Sequence, residues 1–363
     1  ELDVGGAEVM LAKLLGAMDS GRFQQSVLSL QSKGPIGVQI EKLGIPVYEL
    51  NLHRPFSSIC TLSKLPVILS QQRPDLIQGW MYHGNLAAGL FRFLNVLKRP
   101  VIWNIRQSIN SLKQEKTTTQ MVIRAGALFS RSTAGIIYNS HVSADQHAAI
   151  GYFPGKACVI PNGFDLRRFQ PNINARQKIR SELNVPKDGI LVGLIARYHP
   201  IKDHVNFLQA ASLIAKQRTN IRFLILGRNV DKRSSGLIRM TEILGLTDSV
   251  TFLGERSDVE SFYAALDIAS LSSYGEGFPN VIGEAMACCI PCVVTDVGDC
   301  RRVVGKTGIV VPAKDPEALR NGWNRLINKG QEERAKLGIA ARRRIHENFE
   351  ISKVAGQYEE LYQ

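Results

Sequence analysis

The chain has 363 residues, which is too long for one compact core and suits two domains of ordinary size. Apolar residues make up 44% of it, but no apolar run approaches the ~18 residues of a membrane span and no secretory signal pattern is present, so the sequence predicts a soluble, cytoplasmic protein. The net charge of +13 implies anionic partners, and the scattered basic residues favour phosphorylated small molecules or an acidic membrane surface over nucleic acid.

The first half begins with a glycine turn and continues with short apolar runs. Gly5 and Gly6 precede a helical stretch, and glycines at such a turn permit positive φ and a close backbone approach to a ligand. Any turn that opens into a helix can look the same. Six apolar runs predict strands at residues 27–30, 47–50, 76–78, 101–105, 135–138 and 158–160.

A basic and apolar segment within the first half has two interpretations. Residues 92–99 mix basic side chains with bulky apolar ones, which suits peripheral contact with anionic lipid. The alternative is a helix end that packs on its own sheet.

The second half follows a turn-rich link at residues 161–165. Its alternation of strands and helices is typical of a doubly wound parallel sheet, whose ligands bind beyond the carboxyl ends of the strands. The predicted strands are 191–195, 223–226, 250–253, 268–271, 291–294 and 309–311, and the predicted helices are 203–216, 235–244, 258–265, 279–288 and 316–328.

Two clusters in the second half are predicted to be structural. The six cysteines have no regular spacing, which favours reduced thiols, and Cys288-Cys289-x-x-Cys292 favours buried packing over a metal site because no second pair follows at zinc spacing. Arg342-Arg343-Arg344 is predicted to be a solvated helix face.

Two cations follow the predicted strand at 191–195. Arg197 and Lys202 therefore lie where a doubly wound sheet binds its ligand, and they would suit an anion. The alternatives are a surface charge for Arg197 and, for Lys202, a residue beside a helix start capped by Asp203.

Two carboxylates flank a helix start after the strand at 268–271. Proline suits a first helical turn, so a helix that begins near Pro279 leaves the amides of residues 280–282 available to a phosphate. Glu284 would lie roughly 6 Å further along the helix, within reach of a ribose. Glu276 stays on the loop and could accept hydrogen bonds from sugar hydroxyls. The alternative is an ordinary capped helix.

These segments together resemble the retaining glycosyltransferases of the GT-B fold, family four, also called glycosyltransferase group 1. The segment from Glu276 to Glu284 is similar to the family's donor signature, and Arg197 with Lys202 matches Gly-Arg-x-x-x-x-Lys, except that Ala196 replaces the glycine. Residues 161–165 match Pro-Asn-Gly-x-Asp. The resemblance covers most of the chain.

The resemblance implies two Rossmann-like doubly wound domains that face each other across a cleft. The acceptor domain would be residues 1–163 joined by the C-terminal helix 346–363, with Phe349, Tyr358 and Tyr362 as anchors. The donor domain would be residues 164–345. Since the family has a strand before its glycine turn, we expect an N-terminal segment to be missing here.

The implied activity is a hexosyl transfer with retention, from a nucleotide diphosphate sugar to an acceptor hydroxyl in polysaccharide or glycolipid assembly. Arg197 and Lys202 would stabilise the leaving diphosphate, and Glu276 would position the sugar. No Asp-x-Asp is present, so neither a metal nor another cofactor is predicted. The implied substrate-binding residues are Gly5, Gly6, Arg106, Leu253, Phe278, Pro279, Asn280, Val281 and Glu284.

Arg106 stands where the family often has a histidine near the transferred sugar. Arginine stays charged and cannot accept a proton, which points to an anionic or hydroxyl-rich ligand beside it.

Two other functions remain open on the same fold: a sugar-nucleotide epimerase or hydrolase, and a non-catalytic nucleotide-sugar binding protein. The expected partners are a nucleotide-sugar donor and a glycan or lipid-linked acceptor, with peripheral contact with the inner face of the membrane as a separate hypothesis. The sequence identifies neither the base, the sugar, the acceptor nor the oligomeric state.

Overall fold

The computed structural model describes residues 2–52, 68, 71–93, 99–109, 111–231 and 235–363. The chain divides into two compact units, one formed by Glu1–Gly163 with Ile351–Gln363 and the other by Phe164–Glu350. Within the described ranges, no helix is long and apolar enough to cross a membrane. The side chains of residues 92–98, on which the hypothesis of lipid contact depends, lie outside the described part of the chain.

The first unit contains all six strands predicted for it, with bounds within two residues of the predicted ones. They form two separate parallel sheets, a pair β1-β2 and a four-stranded sheet β3-β4-β5-β6. The strands are β1 (Val27–Ser29), β2 (Val47–Glu49), β3 (Ile77–Trp80), β4 (Val101–Ile105), β5 (Gly135–Tyr138) and β6 (Ala157–Val159). The helices before the boundary are α1 (Gly6–Ala17), α2 (Gly34–Glu41), α3 (Met81–Phe93), α4 (Thr117–Phe129) and α5 (His141–Ala149).

The second unit contains one six-stranded parallel sheet in the order β12-β11-β10-β7-β8-β9. Its strands, all predicted, are β7 (Ile190–Ile195), β8 (Ile221–Leu226), β9 (Val250–Phe252), β10 (Ile268–Leu271), β11 (Cys292–Thr295) and β12 (Ile309–Val311). The helices are α6 (Ile173–Glu182), α7 (His204–Ala215), α8 (Ser235–Ile243), α9 (Val259–Ala265), α10 (Asn280–Ala287), α11 (Cys300–Val304), α12 (Pro316–Asn328) and α13 (Gly330–Asn348). Of these, α6 and α11 were not predicted, and α13 was predicted only as a helix at Arg342, Arg343 and Arg344.

The sheet of the second unit is buried on both faces, as its near-continuous apolar strands require. Successive residues of β7 alternate between two hydrophobic clusters, with Leu191 in one and Val192 in the other. The chain runs outward from β7 through β8 to β9 and then returns to β10, which pairs with β7 on its other side. The loops that follow β7 and β10 therefore meet at the topological switch point, where such sheets bind ligands.

The last helix, α14 (Ile351–Tyr362), belongs to the first unit, an assignment that the family resemblance implied. Tyr358 is fully buried among Met10 and Leu14 of α1. One predicted anchor is wrong, because Phe349 precedes the unit boundary and its ring packs 5.8 Å from that of Phe278 in the second unit.

The arginine run of α13 is not the solvated face that its charge predicted. Arg342 donates to the carbonyls of Leu166 and Ala287, and Arg344 donates to that of Val303. Only Arg343 extends into solvent, with 78% of its side chain exposed. Burial of Ala341 and Ile345 on the same helix explains the difference, since the two outer arginines flank that apolar face.

The described cysteines are free thiols. Cys288 and Cys292 are buried in the core, and burial raises the pKa of both thiols, that of Cys288 to about 12. A metal requires thiolate, so these surroundings suit apolar packing. Among the described residues no group of three His, Cys, Asp or Glu side chains is placed to hold a metal ion.

Candidate active site

Lys202 and Glu276, predicted to act together, form an ion pair at the switch point. The Lys202 Nζ lies 2.6 Å from the Glu276 Oε1, and the two side chains are 22% and 10% exposed. Lys202 ends a 3-10 turn (Pro200–Lys202) after β7, and Glu276 lies in the loop after β10. The sheet order thus joins two side chains that are 74 residues apart in sequence.

The two loops are also held together by their backbones. The Tyr274 amide donates to the Ile201 carbonyl at 3.0 Å, and the Ser272 hydroxyl donates to the Lys202 carbonyl at 2.8 Å. Ser272 is fully buried. The ion pair is therefore built on a fixed scaffold, which is what a preorganised charged site requires.

A third loop supports the backbone of Glu276. Gly298, at φ +53°, packs so closely that an added Cβ would lie 2.4 Å from the Glu276 carbonyl oxygen. The Asp299 amide donates to the Gly277 carbonyl at 3.0 Å. Only glycine satisfies both the positive φ and the close approach, so the loop after β11 fixes this turn.

Ser273 was missed by sequence reasoning and contacts the same carboxylate. Its hydroxyl donates to the Glu276 Oε1 at 2.7 Å, while its own carbonyl accepts from the Thr295 hydroxyl at 2.6 Å. Both Ser273 and Thr295 are fully buried. The available signal was the polar Ser-Ser pair directly after an apolar strand.

The start of α10 differs from the prediction. The helix begins at Asn280 with Pro279 as its N-cap, but the Asn280 amide donates to the Phe278 carbonyl and the Ile282 amide to the Pro279 carbonyl, each at 3.1 Å. The Val281 amide has no such partner among the described residues. The tight turn at Pro279 thus engages two of the three amides that were predicted to be free.

Glu284 lies one turn into α10, half-buried, and has a partner that the sequence did not indicate. The Tyr263 hydroxyl of α9 donates to the Glu284 Oε2 at 3.0 Å. Burial, and secondarily the neighbouring carboxylate, raises the pKa of Tyr263 well above its usual range, so the phenol remains a hydrogen-bond donor. Because 21 residues separate the two, no local pattern could have found this contact.

Arg197 lies after β7, on the same edge of the sheet, and is exposed. Within the part of the chain that the structure describes, no carboxylate lies within ion-pair distance of it. Burial lowers the pKa of His199, and the nearby Arg197 and Lys202 lower it further, which shows that the loop carries a positive potential.

Two predicted ligand contacts are placed against the core. Leu253 is partly buried at the end of β9, and its amide donates to the Ile225 carbonyl at 3.1 Å. The ring of Phe278 is only 7% exposed and stacks on that of Phe164 at 6.0 Å. Phe278 therefore shapes the loop by packing, and its predicted part in substrate binding stays a prediction.

Gly5 and Gly6 open α1 in the first unit. Gly5 is the N-cap with φ −143°, so the predicted use of positive φ is wrong there. An added Cβ would lie 2.2 Å from the Glu8 Oε2, which is the end of a flexible side chain that can move aside, so space does not require glycine there. Gly6 is the first helical residue and is exposed.

Arg106 follows β4 and is buried, with 8% exposure, among neutral partners of its own unit. Its guanidinium donates to the Tyr358 hydroxyl at 2.6 Å, to the Asn104 Oδ1 at 3.1 Å and to the Asn162 Oδ1, and it lies over the Trp80 ring at 5.2 Å. The guanidinium thus has partners within its own unit, and its predicted contact with a ligand stays a prediction. The arginine connects β4, the 161–165 link and α14.

Solved structures share this fold over nearly the whole chain. HepE of Anabaena, crystallised in complex with UDP-glucose, superposes with a TM-score of 0.82, covers 98% of this chain and 95% of its own, and is 22% identical. The fold is therefore GT-B, with two Rossmann-like domains.

Sequence comparison then identifies the family. Residues 175–344 match the family described as "Glycosyl transferases group 1", and residues 4–168 match "Glycosyltransferase Family 4". This chain belongs to glycosyltransferase family four, group 1.

Curated relatives carry glycosyltransferase names. D-inositol 3-phosphate glycosyltransferase of Corynebacterium urealyticum is 30% identical over 227 residues, which is 58% of this chain and 52% of that protein. The capsular polysaccharide biosynthesis glycosyltransferase CapM of Staphylococcus aureus is 24% identical over 322 residues, which is 85% of this chain and 81% of that protein. The match spans about half the length of the first of these relatives.

Proposed function

We propose that this protein transfers a sugar, with retention of configuration and without a metal, from a nucleoside diphosphate sugar to an acceptor hydroxyl in polysaccharide or glycolipid assembly. The observation that carries the proposal is the ion pair between Lys202 and Glu276 at the switch point of the second unit. A family member with this pair intact has a cation for the diphosphate and a carboxylate for the sugar in one place.

Lys202 suits the diphosphate. An ammonium group carries three donors, of which one is directed at Glu276, so two remain for phosphate oxygens. The leaving diphosphate gains negative charge as the sugar bond breaks, and a fixed cation stabilises that state more than the ground state. Arg197 on the same edge and the amino end of α10 add positive potential.

Glu276 and Glu284 suit the neutral parts of the donor. Ionised carboxylates are acceptors, so Glu276 would bind hydroxyls of the transferred sugar and Glu284 those of the ribose. The Tyr263 hydroxyl holds Glu284 at the half-buried start of α10. The complex of HepE with UDP-glucose makes UDP-sugars the first donors to test.

The acceptor is proposed only as a hydroxyl compound. The names of the relatives point to an inositol phosphate in one case and to a capsular polysaccharide in another. A lipid-linked acceptor, with contact between residues 92–99 and an anionic membrane, remains a hypothesis that vesicle co-sedimentation would test.

A panel of donors tests the proposal directly. The purified protein is heated with UDP-, GDP- and ADP-sugars, because a ligand at 100 times its dissociation constant stabilises the fold by about 2.7 kcal/mol. The donor that stabilises it is then incubated with and without acceptors, with EDTA present, and product configuration is read by NMR. Retained glycoside formed only with acceptor supports the proposal. Free sugar or isomerised donor without acceptor indicates a hydrolase or epimerase, and binding without turnover indicates a binding protein.

Two variants connect the activity to the ion pair. Glu276→Gln and Lys202→Ala each lose a charged hydrogen bond, worth roughly 1.5 to 3 kcal/mol, so turnover is expected to fall by about tenfold to a hundredfold. Lys336→Ala is the matched control, because it breaks exposed contacts of 2.9 Å with Glu332 and Glu333 on the surface of α13. Unchanged kinetics in both active-site variants would refute the assignment.

A further inference from the structure

We infer that Ser273 is a positioning residue that holds the Glu276 carboxylate with one oxygen, Oε2, directed to the transferred sugar. This inference rests on the proposed function, since it concerns how that site distinguishes a sugar-bearing donor from the bare nucleotide. The hydroxyl of Ser273 would act through Glu276 and would not touch the substrate.

The two oxygens of Glu276 have different surroundings. Oε1 accepts from the Lys202 Nζ at 2.6 Å and from the Ser273 hydroxyl at 2.7 Å. Oε2 has no donor among the residues that the structure describes. A carboxylate can accept about four hydrogen bonds over its two oxygens, so Oε2 is the one left for a ligand hydroxyl.

Ser273 restrains the carboxylate more tightly than Lys202 can. The lysine reaches Glu276 through a flexible four-carbon chain and is 22% exposed, whereas Ser273 has a single χ angle and is fully buried. The Ser273 carbonyl is itself fixed by the hydroxyl of Thr295, at the carboxyl end of β11. A chain of buried hydrogen bonds therefore runs from the sheet through Ser273 to Oε1.

Loss of the Ser273 hydroxyl should weaken binding of the sugar and leave binding of the nucleotide unchanged. In Ser273→Ala the Lys202 contact remains, so Glu276 keeps its countercharge and the phosphate site keeps its cation. The carboxylate of Glu276 gains rotational freedom in the variant. Binding of the sugar must then offset the entropy that is lost when the carboxylate is fixed, so the sugar binds more weakly. Affinity for UDP-glucose is expected to fall about fivefold to tenfold, with affinity for UDP unchanged, as expected for one neutral donor to a charged acceptor.

The chain offers a closely matched control in Ser272. This serine is adjacent, equally buried, and donates at 2.8 Å to the Lys202 carbonyl instead of to Glu276. Ser272→Ala removes the same hydroxyl from the same strand end but disturbs only the backbone of the cation loop. It should change the affinities for UDP and UDP-glucose by the same factor, so that their ratio stays at the wild-type value.

The experiment is calorimetric titration of the whole protein with UDP and with UDP-glucose, or with whichever nucleotide and sugar pair stabilises it most in the donor panel. The measured quantity is the ratio of the two dissociation constants in wild type, Ser273→Ala, Ser272→Ala and Glu276→Gln. In the Glu276→Gln background Ser273→Ala should have no further effect on the ratio, because the serine acts through that carboxylate. If Ser273→Ala does not fold, Ser273→Cys keeps the volume with a weaker donor and should shift the ratio in the same direction.

The outcomes separate the two claims. A wild-type protein that binds none of the nucleotides or sugar nucleotides overturns the proposed function and this inference together. Suppose that the wild type binds UDP-glucose more tightly than UDP, and that neither Ser273→Ala nor Ser273→Cys changes the ratio of the two dissociation constants. That result overturns the inference alone. An equal shift in Ser273→Ala and Ser272→Ala also overturns it, since the effect would then be general loosening of the loop.

Discussion

Arg106 and Arg197 occupy similar places in the two units and have opposite surroundings. Each follows a buried parallel strand, β4 in one case and β7 in the other. Arg106 is 8% exposed and donates to three neutral side chains of its own unit, while Arg197 is exposed and has no carboxylate in ion-pair distance within the described ranges.

The difference teaches that a cation at the end of a strand is not by itself a binding residue. The two terminal nitrogens of Arg106 donate to Asn104, Asn162 and Tyr358, which favours a stabilising role within one unit. Those of Arg197 remain available to a ligand. We therefore expect the surroundings, and not the residue type or its position after a strand, to decide between a structural and a binding role.

The largest effect is expected for Arg106→Met, which should lower the stability of the fold. If it did not, the contrast between Arg106 and Arg197 would fail. The substitution removes the buried hydrogen bonds from the guanidinium to Asn104, Asn162 and Tyr358, so the free energy of unfolding should fall by about 2 to 4 kcal/mol. Urea denaturation measures this. Arg343→Met, on the exposed face of α13, is the control and should change stability by less than about 0.5 kcal/mol. Equal stability of the two variants would contradict the structural role of Arg106.

Arg197→Met should show the opposite behaviour. Because the side chain is exposed, the free energy of unfolding should stay within about 0.5 kcal/mol of wild type. Loss of a cation beside the leaving diphosphate should lower kcat/KM by about tenfold to a hundredfold. Steady-state kinetics and urea denaturation on the same preparation check both halves. A destabilised variant with normal kinetics would reverse the assignment of the two arginines.

A buried histidine of the first unit, His147, should make the stability of the fold depend on pH. His147 is fully buried, its Nδ1 donates to the Ser143 carbonyl at 2.7 Å, and its Nε2 accepts from the Tyr82 hydroxyl at 2.9 Å. Burial lowers the pKa of His147 to about 4. The unfolded chain then binds the proton first, so this contribution to stability is present above about pH 6.5 and is lost as the pH falls towards 4.

From pH 7 to pH 5 the loss attributable to His147 should be about 2 kcal/mol. His204, in the second unit, has a pKa that burial likewise lowers to about 4, so the wild-type slope contains at least two histidines. The contribution of His147 is therefore the difference between wild type and His147→Gln in urea denaturation at the two pH values. If the free energy of unfolding depended on pH equally in the two proteins, folding would not lower the pKa of His147.

The smallest effect is expected for Tyr263→Phe, which removes the hydroxyl that holds Glu284 at 3.0 Å. A hydrogen bond to a carboxylate is worth roughly 1.5 to 3 kcal/mol, but this hydroxyl acts on the donor only through Glu284. The KM for the donor should therefore rise about fivefold, with little change in kcat. Tyr362→Phe is the matched control, since its hydroxyl donates to the Gln78 Oε1 at 2.6 Å in the first unit. A KM changed equally by both substitutions would argue against a specific role for Tyr263.

Much of the second unit and the centre of its site could be predicted because the information is local. Apolar runs give the strands, and the loops after β7 and β10 carry Lys202 and Glu276 of the candidate site. The supporting contacts could not be predicted, because Tyr263, Thr295 and Gly298 come from other elements. Tyr263 meets Glu284, Thr295 meets Ser273 and Gly298 meets Glu276 only through the order of the strands.

The surroundings of two predicted ligand residues also lay beyond the reach of the sequence. Arg106 and Phe278 stand in or beside recognisable motifs and their part in substrate binding stays a prediction, but no local pattern indicated that both side chains are buried against partners of their own units. The amides at the start of α10 were counted from an ideal helix, and the turn at Pro279 engages two of them. A motif specifies which residues are near the site and leaves the direction of each side chain undetermined.

The sequence by itself determined the strands, the doubly wound pattern and the family, because periodicity and short motifs are properties of neighbouring residues. Only the tertiary structure decided which cation meets which carboxylate, which oxygen of Glu276 has no donor among the described residues, and which arginine is buried. Those facts depend on side chains brought together from distant parts of the chain, and hydrogen bonding and burial are settled only once the sheet has placed them side by side.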